Sequence, residues 1–167
     1  MNRFLSICAA AAMAVLSAFG AGSGGAGTSG EPVVKRESPA VSAYNEGVEL
    51  IKGRRFAQAQ GKFEQAVKLD PGFAEAYNNL AFTLRKQGSD NFQKSLAYYN
   101  KAIQLKPKLA EAYMYRGVLY AQMGRKADAQ ADLVLLKKMN GHLAKELEQF
   151  MQTGKEDDEL YGATKKK

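Results

Sequence analysis

From position 40 onward, apolar residues recur at three- and four-residue steps in short runs bounded by glycine or proline, the mark of amphipathic helices joined by tight turns. Gly47, Leu50 and Ile51 share one face of a first helix, which Lys52-Gly53-Arg54 breaks. Phe56, Ala59, Phe63, Ala66, Val67 and Leu69 then mark a second, ended by Asp70-Pro71-Gly72 because proline cannot continue a helix. The cycle restarts with Tyr77, Leu80, Ala81 and Leu84, closed by Gly88, and with Phe92, Leu96, Tyr99, Ala102, Ile103 and Leu105, closed by Lys106-Pro107. Ser89-Asp90 reads as a two-residue insertion in this turn. A third cycle carries Tyr113, Gly117, Tyr120 and Gly124, then Ala127, Ala129, Leu133, Leu136 and Met139, with Asn140-Gly141 as its stop.

A period of about 34 residues implies a repeat architecture, because one helix pair cannot bury its apolar face alone and must stack on its neighbours. The expected fold is all-α: a right-handed α-solenoid of three helix-turn-helix units over residues 40–73, 74–109 and 110–143, plus a C-terminal capping helix over 142–152. Leu143, Leu147, Phe150 and Met151 supply the cap's apolar face and Lys145, Glu146, Glu148 and Gln149 its polar one. Residues 153–167, with an acidic cluster from Glu156 to Glu159 and three terminal lysines, are expected to form a disordered charged tail.

The spacing resembles the tetratricopeptide repeat family, whose pattern is W-x2-L-G-x2-Y…A-x3-F…P. Gly47, Leu50, Ala59, Phe63, Ala66 and Pro71 carry the resemblance in the first repeat. Tyr77, Leu80, Ala81, Leu84, Tyr99, Ala102 and Pro107 carry it in the second, with Ser95 in place of the small alanine. Tyr113, Gly117, Tyr120, Ala129 and Leu133 carry it in the third, which lacks the proline.

In that family the first helix of each pair lines a concave groove. Carried over, the resemblance implies a groove of Tyr44, Val48 and Ile51, then Asn78, Asn79, Phe82, Arg85 and Lys86, then Met114, Val118 and Gln122. This wall combines an apolar floor with amide groups and a cationic edge. Asn79 is either a grip on a bound backbone or a bond to the neighbouring helix. The carboxylate clamp by which some members hold chaperone C-termini is not expected, since Tyr44, Val48, Glu111 and Tyr115 stand where its other groups belong.

Composition adds a compartment. Met1-Asn2-Arg3, an apolar run from Phe4 to Phe19 and a Gly/Ser-rich run from Gly20 read as a signal peptide over residues 1–20, followed by a flexible linker over 21–39. Periplasmic or secreted localisation follows; the alternative is a membrane anchor, if the segment stays uncleaved. Cys8, the one cysteine, is preceded by Ile7 rather than a small residue, which argues against lipidation. The net charge of +7 is spread over several helices and does not form a nucleic-acid-binding module.

No catalytic, metal or cofactor chemistry is expected. His142 has no ligand cluster at metal-binding spacing, and no nucleophile elbow or phosphate loop is present. The expected function is a non-enzymatic adaptor that holds a peptide segment of a protein partner. The alternative is a structural scaffold subunit of a bacterial envelope assembly of the secretion, pilus or cytochrome-maturation type.

Overall fold

The computed structural model describes residues 37–156. The expected leader, most of the linker and the tail from position 157 lie outside the described residues. Seven α-helices follow one another: α1 Pro39–Lys52, α2 Phe56–Leu69, α3 Ala74–Lys86, α4 Phe92–Leu105, α5 Ala110–Gln122, α6 Lys126–Met139 and α7 Gly141–Thr153. Among the described residues there is no strand, and no helix is long and apolar enough to cross a membrane.

Local chemistry sets the ends. Ser38 caps α1 by accepting from the Val41 amide at 3.3 Å, with Pro39 in the first turn where its missing N–H costs nothing. Asp70 folds its carboxylate onto the Gly72 amide at 2.9 Å and sets the turn between α2 and α3. The Ser89-Asp90 insertion forms a short 3-10 turn, Ser89–Asn91, leading into α4. Asn140-Gly141 does more than stop α6. The Asn140 side chain accepts from the His142 and Leu143 amides at 3.1 and 3.2 Å, so the residue that ends α6 also starts α7, whose first residue is Gly141.

The helices pack as antiparallel neighbours: α1 on α2, α3 on α4, α5 on α6, with α7 closing over α5 and α6. The first helices also touch in a row, α1 to α3, α3 to α5 and α5 to α7, whereas α2, α4 and α6 make no comparable contact with one another. Helices that converge on one side and splay on the other curve the stack, so α1, α3 and α5 form the concave wall. The result is an α-solenoid with a cap.

Close approach depends on residues with little or no side chain. A Cβ placed on Gly47 would lie 2.7 Å from the buried Phe63 ring, and one on Gly117 would lie 2.5 Å from Leu147. Ala59, Ala66, Ala76, Ala81, Ala102, Ala112 and Ala129 are fully buried at the other close points. Bulky groups fill the space between pairs: Phe63, Leu80, Tyr99, Leu119, Leu136 and Leu147 are also wholly buried.

One partly buried polar link crosses three helices. Arg116 on α5 donates to both Asp132 carboxylate oxygens on α6, at 2.9 and 2.6 Å, and to Asn100 on α4 at 2.8 Å. Its guanidinium also lies 5.4 Å from the Tyr113 ring centroid and 5.6 Å from that of Tyr120. Burial pushes the Asp132 carboxyl above the ordinary aspartate range, and Arg116 pulls it only part of the way back.

Two glycine substitutions test this packing with opposite signs. Gly61 sits on the open face of α2 with nothing near its Cβ position, so Gly61→Ala gains helix propensity and stabilises by about 1 kcal/mol. Gly47→Ala gains the same propensity but must displace the Phe63 ring, an overpacking cost of about 1–3 kcal/mol, and comes out net destabilising. Urea melts of the two variants check the signs; a stabilising Gly47→Ala would show that the α1–α2 approach is looser than described.

Candidate functional site

The residues expected to line the groove lie on α1, α3 and α5, the three helices of the concave wall. Most of their surface is committed to the protein itself. Tyr44, Val48, Ile51, Asn78, Asn79, Phe82, Arg85, Met114 and Val118 are buried, Lys86 is half-buried and Gln122 is exposed. The stack explains this: α1, α3 and α5 face one another as well as the groove, so long side chains at those positions close the gaps between them.

Two groups emerge. In the first, Tyr44 packs against Phe63 and Phe73, with ring centroids 5.7 and 4.9 Å away. Its hydroxyl accepts from the Asn79 amide at 3.2 Å, and Asn78 donates to the Asn79 carbonyl at 3.2 Å. Of the two roles open to Asn79, the bond to the neighbouring helix is the one in place. Phe82 lies 6.1 Å from Phe56 and 5.2 Å from Tyr115, making an aromatic bridge from the first pair to the third.

The second group is electrostatic. Arg85, at the end of α3, has a side chain only 1% exposed. Its guanidinium lies 5.4 Å from the Phe82 ring centroid and donates to the Gln122 side-chain carbonyl at 3.2 Å. Its Nη1 also donates to a Glu156 carboxylate oxygen, and Lys86 Nζ donates to the other at 2.9 Å. Glu156 therefore departs from the expectation of a solvated, disordered tail. Gly154 takes a left-handed turn, φ 67°, after α7 and directs the chain back across the wall. Two buried or half-buried cations at one place then supply the attraction that holds the carboxylate.

A small cavity of about 20 Å³ sits beside this ion cluster, lined chiefly by Met114, Tyr115, Val118 and Phe150 with Arg85 and Glu156. A wider, open recess of about 390 Å³ adjoins it, lined by Ala121, Gln122, Lys126, Phe150, Met151 and Gly154. Arg85, Lys86, Met114, Val118 and Gln122 are thus brought together around one acidic side chain. Val48 and Ile51 belong to the core at the other end of the wall. Glu156 and Phe150 are the site residues that the sequence pattern did not mark. Among the described residues no group of His, Cys, Asp or Glu is placed to hold a metal ion, and His142 is exposed in a 2.9 Å pair with Glu146.

Stacked helix pairs with a concave wall and a cap define an α-solenoid. In sequence, models described as "Tetratricopeptide repeat" and "TPR repeat" match residues 62–96 and 90–124. Among solved structures, the Arabidopsis OM64 TPR domain superposes with a TM-score of 0.62 at 23% identity, over 70% of this chain and 96% of that one. The TPR2B domain of yeast Sti1, solved as a complex with pHsp70, superposes with a TM-score of 0.62 at 26% identity, over 68% of this chain and 93% of that one. Among curated proteins, the photosystem I assembly protein Ycf3 of Cyanophora paradoxa is 28% identical over 104 residues, 61% of this chain. The match spans 60% of that relative's length.

Tyr99 stands behind this site and reports on its packing. Burial pushes its phenol up to about 12, while the Arg85 charge pulls the other way. A folded pKa raised above the unfolded value means that this group's contribution is whole below about pH 10 and is lost as the pH climbs towards 12. An ultraviolet titration is expected to show a tyrosine step near pH 12, and that step is expected to be missing in Tyr99→Phe. An unchanged curve in the variant would contradict the burial.

Proposed function

We propose that the protein is a non-enzymatic adaptor that holds a segment of a partner protein against the wall formed by α1, α3 and α5. The observation that carries this reading is the cluster at the end of the wall. There a buried arginine and a half-buried lysine bind a carboxylate beside an apolar cavity and an open recess. Such a surface offers an anchoring charge and an apolar pocket together, as peptide-binding grooves require. The likeness to the Sti1 domain solved with pHsp70 adds support, as a protein of the same fold with a partner. The signal-peptide pattern of residues 1–20 supports placing the adaptor in the periplasm or outside the cell, with a retained membrane anchor as the alternative.

A second reading, a scaffold subunit that aids assembly of a larger complex, draws on the likeness to the photosystem I assembly protein Ycf3. It would use the outer side, where α6 exposes Val134, Leu135 and Met139.

Asn79 and Phe82 are too deeply buried to serve as probes of binding, because truncating Phe82 alone would cost about 3–5 kcal/mol of stability. The accessible lining is tested with Lys86→Glu/Gln122→Glu and the outer side with Val134→Ser/Leu135→Ser, each used as full-length bait in a native extract. The partner is expected to be retained by wild type and the outer variant and lost by the lining variant. Retention by the lining variant with loss from the outer one would replace the adaptor reading with the scaffold reading.

A further inference from the structure

The carboxylate in the cationic site belongs to the protein itself. Three consecutive residues after α7 do the work: Gly154 turns the chain, Lys155 and Glu156 form part of the small cavity's wall, and Glu156 reaches Arg85 and Lys86. Phe150 lines both the cavity and the open recess, and the turn contributes to the wall of each, Gly154 to the recess and Lys155-Glu156 to the cavity. Nothing in the packing of α7 requires this contact. Leu143, Ala144, Leu147 and Phe150 already bury the cap against α5 and α6. The ion cluster on α3 comes in addition to that apolar docking and places a carboxylate on the wall.

We propose that Gly154–Glu156 is a built-in competitor: Glu156 fills a site for acidic side chains on the concave wall, and an acidic segment of a partner protein binds by displacing it. The proposal rests on the adaptor reading and gives its partner a chemistry and its groove a regulator. Displacement, rather than simple opening, is favoured by the charge pairing at this point. With the turn in place the Arg85 side chain is 1% exposed and paired with Glu156, and an arriving carboxylate can take over that pairing as Glu156 leaves. An incoming carboxylate restores the charge pairing, and the departure of the turn joins the cavity to the recess, leaving room for an apolar neighbour of the acidic residue. The net charge of +7 favours encounter with such a segment.

The test uses a labelled synthetic peptide, GKEDDEL, which copies residues 154–160 of the chain. It is titrated into full-length wild type, Glu156→Gln, and Glu156→Gln combined with Lys86→Met, with circular dichroism run on each to establish equal helicity. A competitor that occupies its site about nine-tenths of the time weakens apparent binding about tenfold. Glu156→Gln is therefore expected to bind about tenfold more tightly than wild type, and Lys86→Met to remove the gain. Equal affinity for wild type and Glu156→Gln, or a gain that survives Lys86→Met, overturns the competitor while leaving the groove reading intact. Binding by none of the three overturns the acidic partner; the groove reading then stands or falls on the capture experiment with the lining and outer variants.

Discussion

Everything in this molecule depends on how closely paired helices can approach. Gly47 under the Phe63 ring and Gly117 under Leu147 leave no room for even one methyl group. Ala59, Ala66, Ala81 and Ala102 keep the other interfaces equally thin. Interiors are close-packed, so a gap set this tightly fixes the angle and register of each pair with little slack. Because the first helices also meet one another and the second helices do not, that fixed angle repeats along the chain as curvature. The concave wall is thus a consequence of small residues placed at a period, and the site on it inherits its geometry from the same contacts.

The wall is not an empty trough. Aromatic contacts run from Tyr44 through Phe63 and Phe73, and from Phe56 through Phe82 to Tyr115, stiffening the surface between pairs. The Arg116–Asp132–Asn100 link does the same on the far side of α5. A surface this pre-ordered would lose little conformational entropy on binding, which suits the proposed holding of a short segment by a few anchors. The groups nearest the surface there are the half-buried Lys86 ammonium, paired with Glu156, the exposed Gln122 amide and the half-buried Met151 at the recess, set around the Arg85 charge.

The α-solenoid was legible in the sequence because small and bulky residues alternate at a fixed period, and that alternation is the packing itself. Helix ends were legible where a single residue decides them, as at Pro71 and Gly88. Asn140 shows the limit: its sequence signal is a stop, and only the fold reveals that the same side chain opens α7. The site was legible less fully. Helical position places Arg85, Lys86 and Gln122 on one wall, but it does not say which wall residues point into the gaps between helices, so Tyr44, Asn79 and Phe82 are more buried than a groove-facing position suggests. Arg116 and Asp132 lie sixteen residues apart on different helices and look like ordinary surface charges until α5 and α6 pack. Glu156 reads as part of a charged run, and its meaning depends on the left-handed turn at Gly154 that sends it back to α3.

The central claim is that the concave wall, and not the outer side of the stack, is the working face. Photo-crosslinking tests it most directly, with a photoreactive amino acid placed at Gln122 on the wall in one full-length chain and at Val134 on the outer side in another. Irradiation in the presence of the captured partner is predicted to give an adduct from position 122 and none from position 134. An adduct from position 134 alone would contradict the account and place the partner on the outside of the solenoid.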